Sequence, residues 1–394
     1  MSLPSIFLLT GEFPPRVGGI ADYTARLAEH LSADGLDVTV LVGSDHPLEQ
    51  AGPPLAHRVE RLDDRYNSWR LLPAVARRLS GGPAIVHIQY QTAAFGMHPA
   101  IHALPLWLRL RVPGARVVVT CHDVRVPYLF PKAGPLRELV THGLIDGSHA
   151  AIFSDADDRH WAGARPNHWL IPIGSGIPVV PLQCAAVDPT PGVFRLGYFG
   201  FMNSSKGITT LLEAVSALAA SGRTIRLVFI GDALGDADMT NARTRQSIDD
   251  AIRRLNLVGL IERTGTLSLR DVSRAIQACD ALALPFEDGA SYRRSSLTAA
   301  LVHGRPVITT LAPTGKNGLP GFESGVSVLM VPPGDAAALA GSIELLIGDA
   351  SLRARLAQGA AVASTRLQWP SIAAAVREVY ASVTGAGFSG RALV

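Results

Sequence analysis

The chain has 394 residues, too many for one ordinary core, so two domains are expected. Hydrophobic residues at 47% against 18% charged exclude a disordered chain. A net charge of +3 with no lysine- or arginine-rich run argues against nucleic acid as a partner, and cysteines at 121, 184 and 279 lack the spacing of a zinc site or a disulfide framework.

SIFLLTG, from Ser5, reads as a first strand and not as a signal peptide, because its apolar run is short and no charged segment precedes it. GEFPPRVGGIADYTARL follows. Gly18 and Gly19 precede a helix expected to start near Ala21, and glycines there let backbone N–H groups approach a ligand. The spacing of Gly11, Gly18 and Gly19 is not that of a dinucleotide fingerprint. Tyr23, Leu27 and Leu31 share one face of that helix. Further strands are expected at VTVLVGS (from Val38), IVHIQY (from Ile85), RVVVTCHD (from Arg116) and AAIFSD (from Ala150). Near-continuous apolar strands alternating with helices mean a parallel sheet covered on both faces.

His122 and Asp123 end the fourth strand, where a histidine can donate to a substrate oxygen or shuttle a proton near neutral pH. The alternative is a histidine tied to a neighbouring loop. His87 and Gln89 are also expected to face the ligand side. PLWLRLRVPGAR (Pro105 to Arg116) reads as an amphipathic helix end, with contact to an anionic membrane surface as the second reading. No apolar run is long enough to span a membrane.

The stretch from Val180 to Val193 is rich in Pro and small residues and reads as a linker. Alternation then restarts at RLGYFG (from Arg195), followed by a helix lined by Ile208, Leu211, Leu212, Val215 and Ala219. IRLVFIGD (from Ile225), a helix near Ser247 to Leu255, ALALPF (from Ala281) and PVITT come next. One long alanine-rich helix is expected over Asp335 to Ala361, then a last helix striped by Ile372, Val376, Val379, Tyr380 and Val383. The expected organisation is a domain over 1–182, a second over 193–368, and a final helix with a tail over 369–394. Two doubly wound α/β domains facing across a cleft would bind ligands beyond the carboxyl ends of their strands.

Lys206 and Gly207 lie just before a helix, where a lysine is well placed for phosphate. SYRRSSLTAALVHGRPVITT sets Arg293 and Arg294 beside another helix start, with Ser295 or Ser296 as a natural N-cap. Arginine at the positive end of a helix costs roughly 0.3–1 kcal/mol, a sign that a bound phosphate reverses. A solvated loop is the competing reading. Gly231, Asp232 and the run Thr264 to Leu267 end further strands and are weaker candidates for a base pocket. Lysine and arginine at two strand ends of one domain suit a diphosphate, and would also stabilise its departure.

These residues, in this order, resemble the GT-B glycosyltransferases of the retaining family 4 type. PPRVGGIADYTARLAEHL is similar to the family's N-terminal signature, TCHD to its T-x-H-D region, KGITTLLEA to its lysine–glycine motif, and GTLSLRDVSRAIQACDALALPF with HGRPVITT to its C-terminal block. The resemblance covers nearly the whole chain. It implies transfer of a hexose from a nucleoside-diphosphate sugar, with retention and without a metal or cofactor, to a hydroxyl of a saccharide, lipid-linked or small-molecule acceptor. It implies a setting in the cytoplasm or at the inner face of a membrane, and a role of the polysaccharide-building kind. By the same resemblance His122 sits near the transferred sugar, and Gly18 and Gly19 approach the diphosphate. Lys206, Arg293, Arg294, Ser295 and Ser296 hold phosphate, and Tyr23 and Asp123 lie on the acceptor side. The final helix would cross back to the first domain.

Two departures stand out. The family's paired glutamates, E-x7-E, fall on Ser291 and Ala299, and its arginine before the lysine motif falls on Phe201. Arg293 or Arg294 is the expected replacement for that cation. The missing glutamates also leave open a non-catalytic protein that binds a sugar nucleotide or a partner. A sugar-nucleotide epimerase of similar build fits the motifs poorly.

Overall fold

The structure is a computed structural model that describes residues 3–16, 18–47, 56–79, 81–124, 134–181, 192–200, 202, 204–231 and 239–385. The chain divides into two compact units, Met1–Gly174 with Trp369–Val394, and Ser175–Gln368. The division falls at 174/175. Residues 175–181 go with the second unit because the Val180 N–H donates to Ser273 Oγ and its carbonyl accepts from Gln277. Cys184 and most of the expected linker lie outside the described residues.

In the first unit the strands are β1 Ser5–Thr10, β2 Val38–Val42, β3 Arg58–Arg61, β4 Ala84–Gln91, β5 Ala115–Asp123, β6 Ala150–Phe153 and β7 His168–Leu170. They form one sheet in the order β3-β2-β1-β4-β5-β6-β7, every pairing parallel. The helices are α1 Gly19–Ala33, α2 Leu71–Arg78, α3 Ala100–Arg111, α4 Gly134–Gly147 and α5 Ala156–Trp161. Alternate strand residues feed opposite layers. Ile6 and Leu8 pack with Leu27 and Leu31 of α1, whereas Leu9, Val86 and Ile88 pack with Leu71, Leu104 and Leu108 of α2 and α3.

The last helix joins the first of these layers. Ile372, Val376, Val379 and Tyr380 are buried among Ile6, Leu8 and Tyr23. Arg377 pairs with Asp34 at 2.6 Å, and Arg116 donates to the Val383 carbonyl. Each buried aliphatic side chain on that stripe is worth about 1.5–3 kcal/mol, so the helix is held chiefly by this face.

The second unit repeats the plan. Its strands are β8 Phe194–Phe199, β9 Ile225–Ile230, β10 Ile261–Arg263, β11 Ala281–Leu284, β12 Val307–Thr310 and β13 Leu329–Val331, in the order β10-β9-β8-β11-β12-β13. Its helices are α6 Ile208–Ala220, α7 Met239–Arg254, α8 Leu269–Gln277, α9 Ser295–Val302, α10 Ala336–Gly348 and α11 Ala350–Ala363, and the chain's last helix is α12 Trp369–Thr384. The alanine-rich segment expected as one helix is two. Asp349 ends α10 with an extended backbone and caps α11, its carboxylate accepting from the Leu352 N–H at 2.8 Å.

Both sheets reverse their winding once, between β1 and β4 and between β8 and β11. At such a reversal the loops leave in opposite directions and a crevice opens beyond the strand ends. The charged and glycine-rich motifs fall there or one strand away.

Candidate functional site

The second unit's crevice is built from the loops after β8 and β11. Gly207 has φ +64°, and a Cβ there would lie 1.8 Å from the Pro285 carbonyl oxygen. Only glycine allows that approach. The Glu287 N–H donates to the Ser205 carbonyl at 3.0 Å, locking the two loops together. Lys206 Nζ and the Arg294 guanidinium each lie 5.0 Å from the ring centroid of Phe286. Two cations thus share one buried aromatic ring.

Asp288, largely exposed, pairs with Arg294. It offsets the positive charge around the lysine only in part. Burial, and next the neighbouring Arg294, bring the Lys206 ammonium down to about 8, with Asp288 opposing. An anion placed here would relieve the repulsion between the two cations and would favour the charged form of the half-buried lysine.

Arg294 is the N-cap of α9, and no side chain caps the helix. The sequence pointed to Ser295 or Ser296 as cap, but both lie inside the first turn. Ser295 is exposed. Ser296 is buried against Gly200 at the end of β8, where an added Cβ would come within 3.2 Å of the serine Cβ. The arginine pair also divides. Arg294 joins Lys206, whereas Arg293 has Nε and Nη2 buried and interacts within the protein.

Of the two motif positions that lack glutamate, Ser291 is half-buried and Ala299 fully buried in the core. Phe201 and Asp232 lie outside the described residues. Gly231 and Gly265 are brought into a single bridge, with the Gly231 N–H donating to Thr264 Oγ1 at 2.9 Å.

In the first unit Gly18 is the N-cap of α1, and no side chain caps that helix either. A Cβ at Gly18 would meet the Glu12 carboxylate at 2.5 Å, whereas Gly19 faces open space. Helix α1 starts at Gly19, two residues before the expected position, because its first turn tolerates glycine.

His122, at the end of β5, donates from Nε2 to Gln89 Oε1 at 3.0 Å. Burial pushes its pKa down to about 4, so it is a neutral ring at physiological pH. The low value favours the neutral ring over a proton shuttle near neutral pH, and Nε2–H is engaged by Gln89. Tyr23, expected on the acceptor side, is buried, with its ring edge-on to His122 at 4.8 Å and 5.2 Å from Trp369. Its hydroxyl bonds Thr120, and burial raises its pKa.

His87 lies deeper than expected. It links Thr120 Oγ1 and the Tyr380 hydroxyl, each at 2.7 Å, and burial drives its pKa to about 3. The polar ladder of β4 and β5 is therefore a wired support for the strand ends, with α12 at its far end. Asp123 is half-buried and engaged. The ladder escaped the sequence reading because His87 and Gln89 alternate with apolar residues like any half-exposed strand.

Two family models match separate stretches that together make up most of the chain. The model described as "Glycosyl transferase 4-like domain" matches residues 18–166, and "Glycosyl transferases group 1" matches 193–349. A phosphatidyl-myo-inositol mannosyltransferase of Mycobacterium leprae is 25% identical over 388 residues, 94% of each chain. A GDP-mannose-dependent alpha-mannosyltransferase of Corynebacterium glutamicum is 26% identical over 260 residues, 58% of this chain and 57% of the relative. Among solved structures, Anabaena HepE in complex with UDP superposes with a TM-score of 0.72 at 20% identity, over 96% of this chain and all of that one. Sucrose-phosphate synthase from Thermosynechococcus elongatus gives 0.69 at 18%, over 98% and 100%. With both sheets, both helix layers and both family models in agreement, the chain belongs to the GT-B glycosyltransferases of the group 1, family 4 type.

Proposed function

We propose that this glycosyltransferase moves a hexose, with retention, from a nucleoside-diphosphate sugar to an acceptor hydroxyl. The observation that carries the reading is the pair of cations, Lys206 and Arg294, set on Phe286 at the strand reversal of the second unit. They would bind the donor's phosphates and stabilise the charge that develops as the diphosphate leaves. Two fixed positive side chains supply that stabilisation from protein alone, which supports a reaction run without a bound metal. Arg294 fills the role of the arginine that the family has where this chain has Phe201.

GDP-mannose is the donor we favour, since relatives matching over most of the chain carry the name of mannosyltransferases and one is named for GDP-mannose. A lipid-linked acceptor follows from the same names. No helix among the described residues is long and apolar enough to cross a membrane. Exposed Leu106 and Leu110 on α3, beside exposed Arg109 and Arg111, would serve contact with an anionic bilayer face, a setting on the cytoplasmic side.

The buried Ala299 favours a second reading, a protein that binds the sugar nucleotide without turnover. Thermal shifts with GDP, UDP, ADP and their hexose conjugates test binding. A ligand at a hundredfold excess over Kd adds about 2.7 kcal/mol. Release of free nucleoside diphosphate over mixed acceptors then separates the readings. A shift without turnover supports the second, and no shift with any nucleotide sinks both.

A further inference from the structure

Asp288 opposes the phosphate site in which it sits. The loop that carries it, after β11, is fixed at close intervals. The Thr310 hydroxyl donates to the Phe286 carbonyl at 2.6 Å, the Glu287 N–H to the Ser205 carbonyl at 3.0 Å and the Ala290 N–H to the Thr310 carbonyl at 3.0 Å. Gly289 has φ +87°, and a Cβ there would lie 2.6 Å from Ala312 Cα, so the backbone on both sides of Asp288 has little room to move. The carboxylate is thereby held on Arg294, whose guanidinium lies over Phe286 beside Lys206. The arginine side chain is 19% exposed and the aspartate 58%, so the charge stands at the mouth of the site. Asp288 also acts electrostatically on the Lys206 ammonium, and its neighbour Glu287 is not among the groups that do. An anion arriving at the two cations therefore meets a fixed negative charge.

A nucleoside-diphosphate sugar and the nucleoside diphosphate it leaves behind differ in charge at this spot. In the sugar conjugate each phosphate carries one negative charge. Once the sugar has gone, the terminal phosphate ionises a second time near pH 6, so the product carries about one charge more at pH 7. Repulsion from a fixed carboxylate grows with the charge of the ligand and bears more heavily on product than on donor. We propose that Asp288 is a specificity-determining residue that lowers the site's preference for the spent nucleoside diphosphate over the sugar-bearing donor. The inference rests on the phosphate site of the transferase reading above. Two bare cations would favour the more highly charged ligand, and the enzyme would be held by its own product. With Asp288 paired to Arg294 the three side chains carry one net positive charge, which narrows that preference.

The test is isothermal titration calorimetry of GDP and GDP-mannose at pH 7 on the full chain and on three variants. Where thermal shifts favour uridine, the pair is UDP and UDP-glucose. Asp288→Ser should tighten GDP about two- to fivefold, the range of an exposed ion pair, and GDP-mannose by less. Asp288→Glu keeps the charge and should hold the ratio of the two Kd values at that of the parent. Glu287→Gln removes a charge one residue away and should also leave the ratio unchanged. Asp288 raises the Lys206 pKa, so its loss alters the lysine's charge, an effect common to both ligands that largely cancels in the ratio. Equilibrium binding is the readout because the same repulsion also opposes the charge that develops as the diphosphate leaves, which mixes two effects in kcat.

Equal tightening of both ligands, or none, overturns the proposal. Weaker GDP-mannose with unchanged GDP also overturns it and makes Asp288 a contact to the sugar. Weaker binding of both overturns it and makes Asp288 a support for Arg294. A ratio that moves as far in Glu287→Gln removes the assignment to Asp288. A parent that binds both ligands, with an Asp288→Ser variant that binds them alike, sinks this inference alone. A parent that binds neither sinks the phosphate site itself.

Discussion

Lys206 makes the phosphate reading quantitative. Its pKa of about 8 falls inside the range where enzymes are assayed. The ordinary lysine value is near 10.5, and burial lowers it first, then Arg294. Only the ammonium attracts phosphate, so apparent donor affinity should be flat below pH 7 and fall as pH passes 8. If the neutral amine contributes nothing, Kd rises about tenfold between pH 7 and pH 9, or about 1.4 kcal/mol. A phosphate's own second ionisation, near pH 6, is complete across that window and cannot imitate the effect. Isothermal titration calorimetry of GDP at pH 7, 8 and 9 reads it directly. Lys206→Arg, which stays charged, should flatten the curve. Lys206→Ala should weaken binding at pH 7 by about 1.5–3 kcal/mol, the range for a charged hydrogen bond. Equal affinity at pH 7 and 9, together with full affinity in Lys206→Ala, would refute the argument.

Ala299→Glu, which restores the family's residue, should destabilise this chain by several kcal/mol because it places a carboxylate in a closed core without a partner. Urea denaturation measures it, and a variant as stable as the parent would show that the helix can turn that position outward. Tyr380→Phe removes the partner of His87 Nδ1 and should cost about 1–3 kcal/mol with little change in secondary structure, checked by the same method. Acid should weaken the fold well before its carboxylates are protonated. His87 at about 3 and His122 at about 4 lie below the unfolded value of 6.5, so the unfolded chain binds more protons as pH drops below 6.5. Stability is then lost at up to about 1.4 kcal/mol per pH unit for each histidine, and a Tm that holds steady from pH 6.5 to 4.5 would contradict both assignments.

The strong strands and amphipathic helices were legible because parallel sheets covered on both faces need long apolar runs, as in VTVLV and AIVHIQY. The short pieces were not. RVER at β3 is charged and half exposed, HWL at β7 and LMV at β13 are three residues long, and each becomes a strand only because a longer neighbour offers its edge. The break between α10 and α11 also escaped, since helix periodicity continues through Asp349 and only its cap geometry stops it.

Spacing alone placed Lys206 and the arginine loop at strand ends. It could not decide which arginine lies beside the lysine, that Ser296 is buried, or that Tyr23 packs against His122. Those are matters of side-chain direction and burial, which depend on residues hundreds of positions away. Tyr380 reaching His87 across 293 residues is the clearest case. Local pattern fixes which faces are apolar, whereas the electrostatic state of a lysine or a histidine is set by what the folded chain brings beside it and by how much water it removes.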